Sequence, residues 1–237
     1  MKIALAQINP TVGDFEGNCA LIRDAAARAK RMGAELAVFP ELSLMAYPPR
    51  DLVEYDGFVA RGLSALERLA QEIALPSLVG FVSRNASGRG RPLRNSAALL
   101  EGGLIRCVTH KMLLPTYDVF DEDRYFEPGP RPEPMIIQGR KFAVTICEDL
   151  WRSQGELAFR YPEDPPAILA EQGAEVIVNL SASPFMQGKL ETRRRLLGRL
   201  ARKYGLPVIY VNQVGGNDEL VFDGGSTVMD GKGRLVL

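Results

Sequence analysis

Short apolar runs alternate with segments whose hydrophobic residues recur every three or four positions along most of the 237-residue chain. Lys2 to Ile8 reads as a strand, Ile22, Ala25, Ala29 and Met32 then mark one face of a helix, and Glu35 to Phe39 reads as the next strand. A second helix is predicted by Val59, Leu63, Leu66, Ala70 and Ile73, and it leads into a strand over Ser77 to Val82. NSAALL and LIRCVTH flank Glu101-Gly102-Gly103, a hairpin signal that makes the sheet mixed rather than purely parallel. Pro115 to Pro134 breaks the rhythm, yet Tyr117, Phe120, Tyr125 and Phe126 predict a packed loop. After FAVTIC, Phe142 to Cys147, the pattern gives a helix over Pro165 to Gln172, a strand over Glu175 to Leu180, a helix over Leu190 to Tyr204 and a strand over Pro207 to Val211. The class is α/β in one globular unit, with no internal boundary and no solenoid repeat.

Composition narrows the function classes. Lys plus Arg and Asp plus Glu both number 29, so no whole-molecule field draws in nucleic acid or an anionic membrane. The 3 cysteines are widely spaced and the chain has 1 histidine, which argues against a disulfide framework and against a zinc site, and predicts a cytoplasmic protein with no metal. MKIALAQINP is a poor signal peptide, and no apolar stretch is long enough to span a bilayer. The glycine-rich Gly215-Gly216-Asn217-Asp218 and Gly224-Gly225-Ser226 fit no phosphate-binding loop and are expected to be tight turns. Arg193, Arg194, Arg195, Arg199 and Arg202 make one helix basic, and a solvated or subunit-facing position is expected for it.

Candidate chemistry sits where strands end. Glu41 follows AVFP, Lys111 follows CVTH, Cys147 closes AVTI, and Asn179 to Ser183 follows VIV, so all can converge on the mouth of a sheet. Taken singly, each has a bland reading as a cap, a surface charge or a buried thiol. His110 and Lys111 are neighbours on an extended segment and face opposite ways, so only one can serve the site. His110 is assigned the structural role, a partly buried histidine bonded to backbone. Glu, Lys and Cys suffice for amide hydrolysis: a carboxylate takes the thiol proton, the thiolate attacks, and the ammonium with the Glu148 N–H stabilises the oxyanion.

FPEL at Phe39 to Leu42, HKMLLPTYDVFDEDRYFEPG at His110 to Gly129 and ICEDLW at Ile146 to Trp151 resemble the signature segments of the nitrilase, or carbon-nitrogen hydrolase, superfamily. More narrowly, YDVFDEDRYF, NLSASPF and NQVGGNDELVFDGGS are similar to the glutaminase domain of glutamine-dependent NAD synthetases. The resemblance implies a four-layer α-β-β-α sandwich with mixed sheets. It implies Glu41 as general base, Lys111 as oxyanion stabiliser and Cys147 as nucleophile, with Glu122 orienting the lysine. It places Tyr117, Glu148, Ser181 and Ser183 where the family binds the α-amino and α-carboxylate ends of glutamine.

The implied reaction releases glutamate and ammonia from L-glutamine through a cysteine thioester and needs no cofactor. ATP and magnesium belong to the synthetase domain, which residues 1–237 do not contain, since no SGGxDS-like loop occurs in them. The expectation is therefore one C-terminally truncated carbon-nitrogen hydrolase domain, its second sheet open at an edge and a homo-oligomer as the assembly. Two other readings stand beside it: a stand-alone amidase for another small amide, and a catalytically silent assembly domain.

Overall fold

A computed structural model describes residues 1–152 and 161–237. The first half of the chain builds one five-stranded sheet from β1 (Ile3–Leu5), β2 (Leu36–Val38), β3 (Ser77–Arg84), β4 (Leu93–Glu101) and β5 (Leu104–His110), in that spatial order. The first three strands run parallel and the last two antiparallel. The expected β4–β5 hairpin turns through Gly102 and Gly103 at φ of 61° and 80°, angles that a side chain would oppose. The second sheet has the order β12 (Thr227–Met229), β9 (Val208–Asn212), β8 (Val176–Ser181), β7 (Arg140–Ile146), β6 (Met135–Ile137). Its three central strands are parallel and both outer ones antiparallel. A separate antiparallel ribbon joins β10 (Val214–Asn217) to β11 (Leu220–Asp223).

Three apolar layers set the order of the stack. On β2 and β3, Ala37, Val79 and Phe81 pack with Ile22 of α1 (Phe15–Arg31) and Leu66 of α2 (Asp56–Glu72), whereas Leu36, Val38 and Leu78 turn inward. The inward set meets Phe142, Val144, Val178 and Val211 of the second sheet. On the far side Ala143, Ile177 and Tyr210 pack with Leu169 of α3 (Pro165–Glu171) and Leu196, Leu197 and Leu200 of α4 (Lys189–Tyr204). Strands buried on both faces explain why the sequence shows continuous apolar runs instead of alternation. The result is the four-layer α-β-β-α sandwich with mixed sheets.

Local chemistry fixes the helix ends. Asp14 accepts from Gly17 N at 2.9 Å at the start of α1, whose last turn carries Arg28, Lys30 and Arg31 against the carbonyl end of the helix dipole. Asp164 caps α3, which opens on Pro165 and Pro166.

Several expectations need correction. β1 stops at Leu5, because the chain leaves the sheet to lend the Ile8 carbonyl to Val214 N. Met32 caps α1 and is 61% exposed, so the buried face ends at Ala29. Gly215 and Gly216 lie inside β10, and the turn is made by Asp218 and Glu219 instead. Arg193 is not solvated but 1% exposed, bonded to Asp223 at 2.5 Å and to the Gly224 carbonyl at 3.2 Å. The short edge strand β6 follows the predicted loop unannounced.

Candidate active site

The first sheet supplies the charged groups. Glu41 lies in the turn after β2, pressed against β3 at Gly80, where a Cβ would fall 2.3 Å from Leu42 N and 2.6 Å from the Pro40 carbonyl. Only glycine lets the turn lie so close. Lys111 is the first residue beyond β5, and its own N–H and carbonyl are bonded to Asn95 O (2.9 Å) and Gly129 N (2.7 Å). Its ammonium donates to Glu41 Oε1 at 2.8 Å and to Glu122 Oε1 at 2.7 Å, with all three side chains buried. Glu122 stands in a 3-10 turn, Glu122–Arg124, between the exposed Asp121 and Asp123. The packed loop holds it there through the Tyr117–Phe120 and Tyr47–Phe120 ring contacts.

Further donors complete the two carboxylates. Asn95 Nδ2 donates to Glu41 Oε1 (2.7 Å), Tyr47 Oη to Glu122 Oε1 (2.9 Å), and the Ala182 N–H to Glu41 Oε2 (3.0 Å). The last bond crosses from the second sheet to the first. Burial pushes Lys111 toward neutrality, but Glu122 and Glu41 prevail and hold it well above the usual amine value. Burial raises Glu122 to about 7 against the pull of Lys111.

The second sheet supplies the thiol. Cys147 begins the 3-10 turn Cys147–Leu150 directly after β7, with φ of 41° and 7% exposure. A positive φ on a residue with a side chain is a costly corner, and corners of this kind gather at functional sites. Asp149 braces it by accepting from Ile146 N at 2.9 Å and from Met112 N and Leu113 N at 3.0 Å each, so one carboxylate ties the Cys147 turn to the segment after Lys111. Burial, then the charge on Glu41, hold the thiol well above its ordinary value, and the opposing pull of Lys111 does not reverse this. At rest Cys147 is a protonated thiol, so attack requires a base.

Beside the thiol, Glu148 is buried and accepts from Tyr117 Oη at 2.9 Å and Tyr161 Oη at 3.0 Å. Burial lifts its carboxyl above the usual range, while Lys111 and both hydroxyls counteract. Ser181 donates to Asn179 Oδ1 at 2.6 Å, and Asn179 Nδ2 donates to Thr145 Oγ1 at 3.0 Å. Ser183 is locked through its backbone to Asn212, by N–H to Oδ1 at 2.8 Å and by Nδ2 to its carbonyl at 3.1 Å. Thus every candidate residue is buried or half-buried around one centre, and the sequence missed Tyr47, Asn95, Asp149 and Tyr161 as its supports.

His110 stays outside, as expected. Its partner is not backbone, however: Nδ1 lies 2.8 Å from Ser96 Oγ, and burial, with Arg94, lowers its pKa to about 4. It lines an outer cleft of about 790 Å³ with Cys107 and Arg131. Among the described residues no cluster of metal-ligating side chains occurs, and no helix is long and apolar enough to cross a membrane.

The carbon-nitrogen hydrolase family model matches residues 2–237. This chain belongs to the carbon-nitrogen hydrolase family. Within the family it is 45% identical to a glutamine-dependent NAD(+) synthetase of Synechocystis, over 99% of this chain and 43% of that protein. The glutamine-dependent NAD+ synthetase of Acinetobacter baumannii, solved with ADP, superposes with a TM-score of 0.89 at 34% identity, covering 99% of this chain and 42% of that one. An amidase from Nesterenkonia sp. superposes at 0.81 with 27% identity, covering 100% and 84%. A variant of that amidase shows covalent addition of the acetamide moiety of fluoroacetamide at its active site cysteine. This carbon-nitrogen hydrolase chain spans less than half the length of the synthetases it matches.

Proposed function

We propose that the chain hydrolyses L-glutamine to glutamate and ammonia, as the ammonia-supplying partner of an ATP-using NAD synthetase domain. The observation that carries the reading is the buried Glu41–Lys111–Glu122 array beside the Cys147 corner, with Glu148 next in sequence to receive an ammonium. The similarity to glutamine-dependent synthetases supports glutamine as the amide.

Glu41 takes the Cys147 proton as Sγ attacks the amide carbon, and charge moves onto the carbonyl oxygen. The Lys111 ammonium and the Glu148 N–H stabilise that oxygen. Collapse breaks the C–N bond, Glu41 gives its proton to the departing nitrogen, and ammonia leaves a thioester. Glu41 then takes a proton from water as the water oxygen attacks. The C–S bond breaks, glutamate forms, and the proton returns to sulfur. A thiol whose pKa is held high makes the base necessary, and base catalysis of this kind contributes about 10²–10⁴-fold. Glu122 positions Lys111. Glu148, with Tyr117 and Tyr161, receives the α-ammonium, and the Ser181–Ser183 segment borders the other end of the substrate. No step calls on a metal or cofactor; ATP and magnesium serve the synthetase reaction.

The amidase similarity favours one competing substrate class, small amides without an amino-acid head group. Incubation with 6-diazo-5-oxo-L-norleucine and peptide mass spectrometry tests the proposal. A single adduct on Cys147, blocked by glutamine and absent in Cys147→Ala, is expected; equal adducts on Cys19 and Cys107 would overturn it.

A further inference from the structure

Asp149 does more than cap the turn of Cys147. A cap needs one acceptor, and Oδ2 fills that part by taking the Ile146 N–H at 2.9 Å. Oδ1 accepts from a different stretch of chain, from Met112 N and Leu113 N at 3.0 Å each. Those two donors directly follow Lys111 at the end of β5 in the first sheet, whereas Cys147 directly follows β7 in the second. Three N–H groups on two oxygens call for a carboxylate, because an amide in the same place would turn a donor of its own toward a backbone donor.

The lysine and the thiol each have local supports. Lys111 is bonded through its backbone to Asn95 and Gly129, and the Trp151 N–H closes the turn of Cys147 on the Glu148 carbonyl at 2.8 Å. Where one stands relative to the other is left to bonds that cross between the sheets. The Ala182 N–H bond to Glu41 crosses, but it starts from the segment after β8; Asp149 crosses from the nucleophile's own turn. The carboxylate is 3% exposed, and burial raises its pKa to about 6, against the pull of the Ile146 and Leu113 N–H groups, the Lys111 charge and the Met112 N–H. Burying a carboxylate is costly, and a cap alone does not require one, since a serine supplies the same single bond.

We infer that Asp149 is a positioning residue that sets the Lys111 ammonium against the Cys147 thiol, so that both meet one carbonyl group, nitrogen at its oxygen and sulfur at its carbon. The inference rests on the roles proposed above for Cys147 and Lys111, and not on glutamine as the amide. Acyl transfer needs the two groups in register, whereas a reaction at sulfur alone does not. A misplacement of about 1 Å is enough to cost such a reaction about 10²-fold.

The test sets two reagents against each other at Cys147. p-Nitrophenyl acetate is attacked at its carbonyl carbon, so charge builds on the carbonyl oxygen, nitrophenolate leaves and a thioester forms. Methyl methanethiosulfonate is attacked at sulfur, loses methanesulfinate and has no carbonyl. In Asp149→Asn, acylation should slow at least about tenfold, while disulfide formation at Cys147 stays within about twofold of wild type. Asp149→Ser, which keeps one acceptor, should show the same split and carries the comparison if the amide variant does not fold. Both rates are read at Cys147 by peptide mass spectrometry, with Cys147→Ala as the blank. Equal slowing of both reagents would mean that Asp149 holds only the turn of the thiol. Unchanged acylation would mean that it holds nothing the reaction uses, and failure of both variants to fold would make it a residue of the fold alone. Each of these overturns the inference and leaves the proposed roles standing. Wild-type protein that takes the thiosulfonate but no acetyl group at Cys147 would remove the role proposed for Lys111, and the inference with it.

Discussion

The floor and the rim of the site are both built from buried charge, yet they treat it differently. On the floor, Lys111 lies between two carboxylates, and these are further bonded by Asn95, Tyr47 and the Ala182 N–H. At the rim, the side-chain hydrogen bonds to Glu148 among the described residues come from neutral hydroxyls, those of Tyr117 and Tyr161. A closed set of charges keeps its geometry through a reaction, whereas an open set is a request for a ligand. On the proposed function, the difference separates the part of the site that would perform the chemistry from the part that would read the substrate.

The comparison breaks most violently at Lys111. Lys111→Met leaves Glu41 and Glu122 facing one another without their cation, and breaking a buried pair of this kind costs roughly 3–5 kcal/mol. Denaturant melts should show that loss and turnover should vanish; a variant as stable as wild type would mean that the carboxylates are not ionised together. Glu122→Gln keeps an acceptor for Lys111 and Tyr47 but removes a charge, so kcat should fall about tenfold with KM nearly unchanged, as for loss of one charge-assisted bond. A change confined to KM would move Glu122 from floor to rim.

Tyr161→Phe sharpens the contrast from the other side. It should cost about 1 kcal/mol of substrate binding, seen as a KM raised roughly fivefold at constant kcat. The pH dependence of KM follows with a definite sign. Burial already raises Glu148, and Tyr161 donates to its charged form, so removing the hydroxyl raises the carboxyl further. Ammonium binding is lost as pH falls through that value, so the acid limb of 1/KM should move to higher pH in the variant. A limb that stays in place would show that Glu148 is not the group being titrated.

How much of this was legible depends on whether the cause was local. Phe142 to Cys147 announced a strand that ends on a thiol, because an apolar run breaking into Glu148-Asp149 needs no distant partner to be read. Alternation allows only one of His110 and Lys111 to face the site, and the absence of a carboxylate orienter spaced for His110 makes Lys111 the inward one. Asp149 looked like one more acid after Cys147; its value comes from Met112 and Leu113, 37 and 36 positions away, which no spacing rule reveals. Asn95 and Tyr47 were invisible for the same reason. Arg193 was misread because a helical pattern counts every arginine as polar face, while Asp223 and the Gly224 carbonyl are waiting across the fold.

The bond from Ala182 N–H to Glu41 Oε2 joins a backbone of one sheet to a side chain of the other. It works like the index line of a vernier: the carboxylate is squared to its task only when the two sheets stand in one relative position, and a slide of an ångström takes it out of true. Neither half of the sandwich can therefore be exchanged for a foreign counterpart on the strength of its own fold; a chimaera would have to inherit the offset as well as the residues.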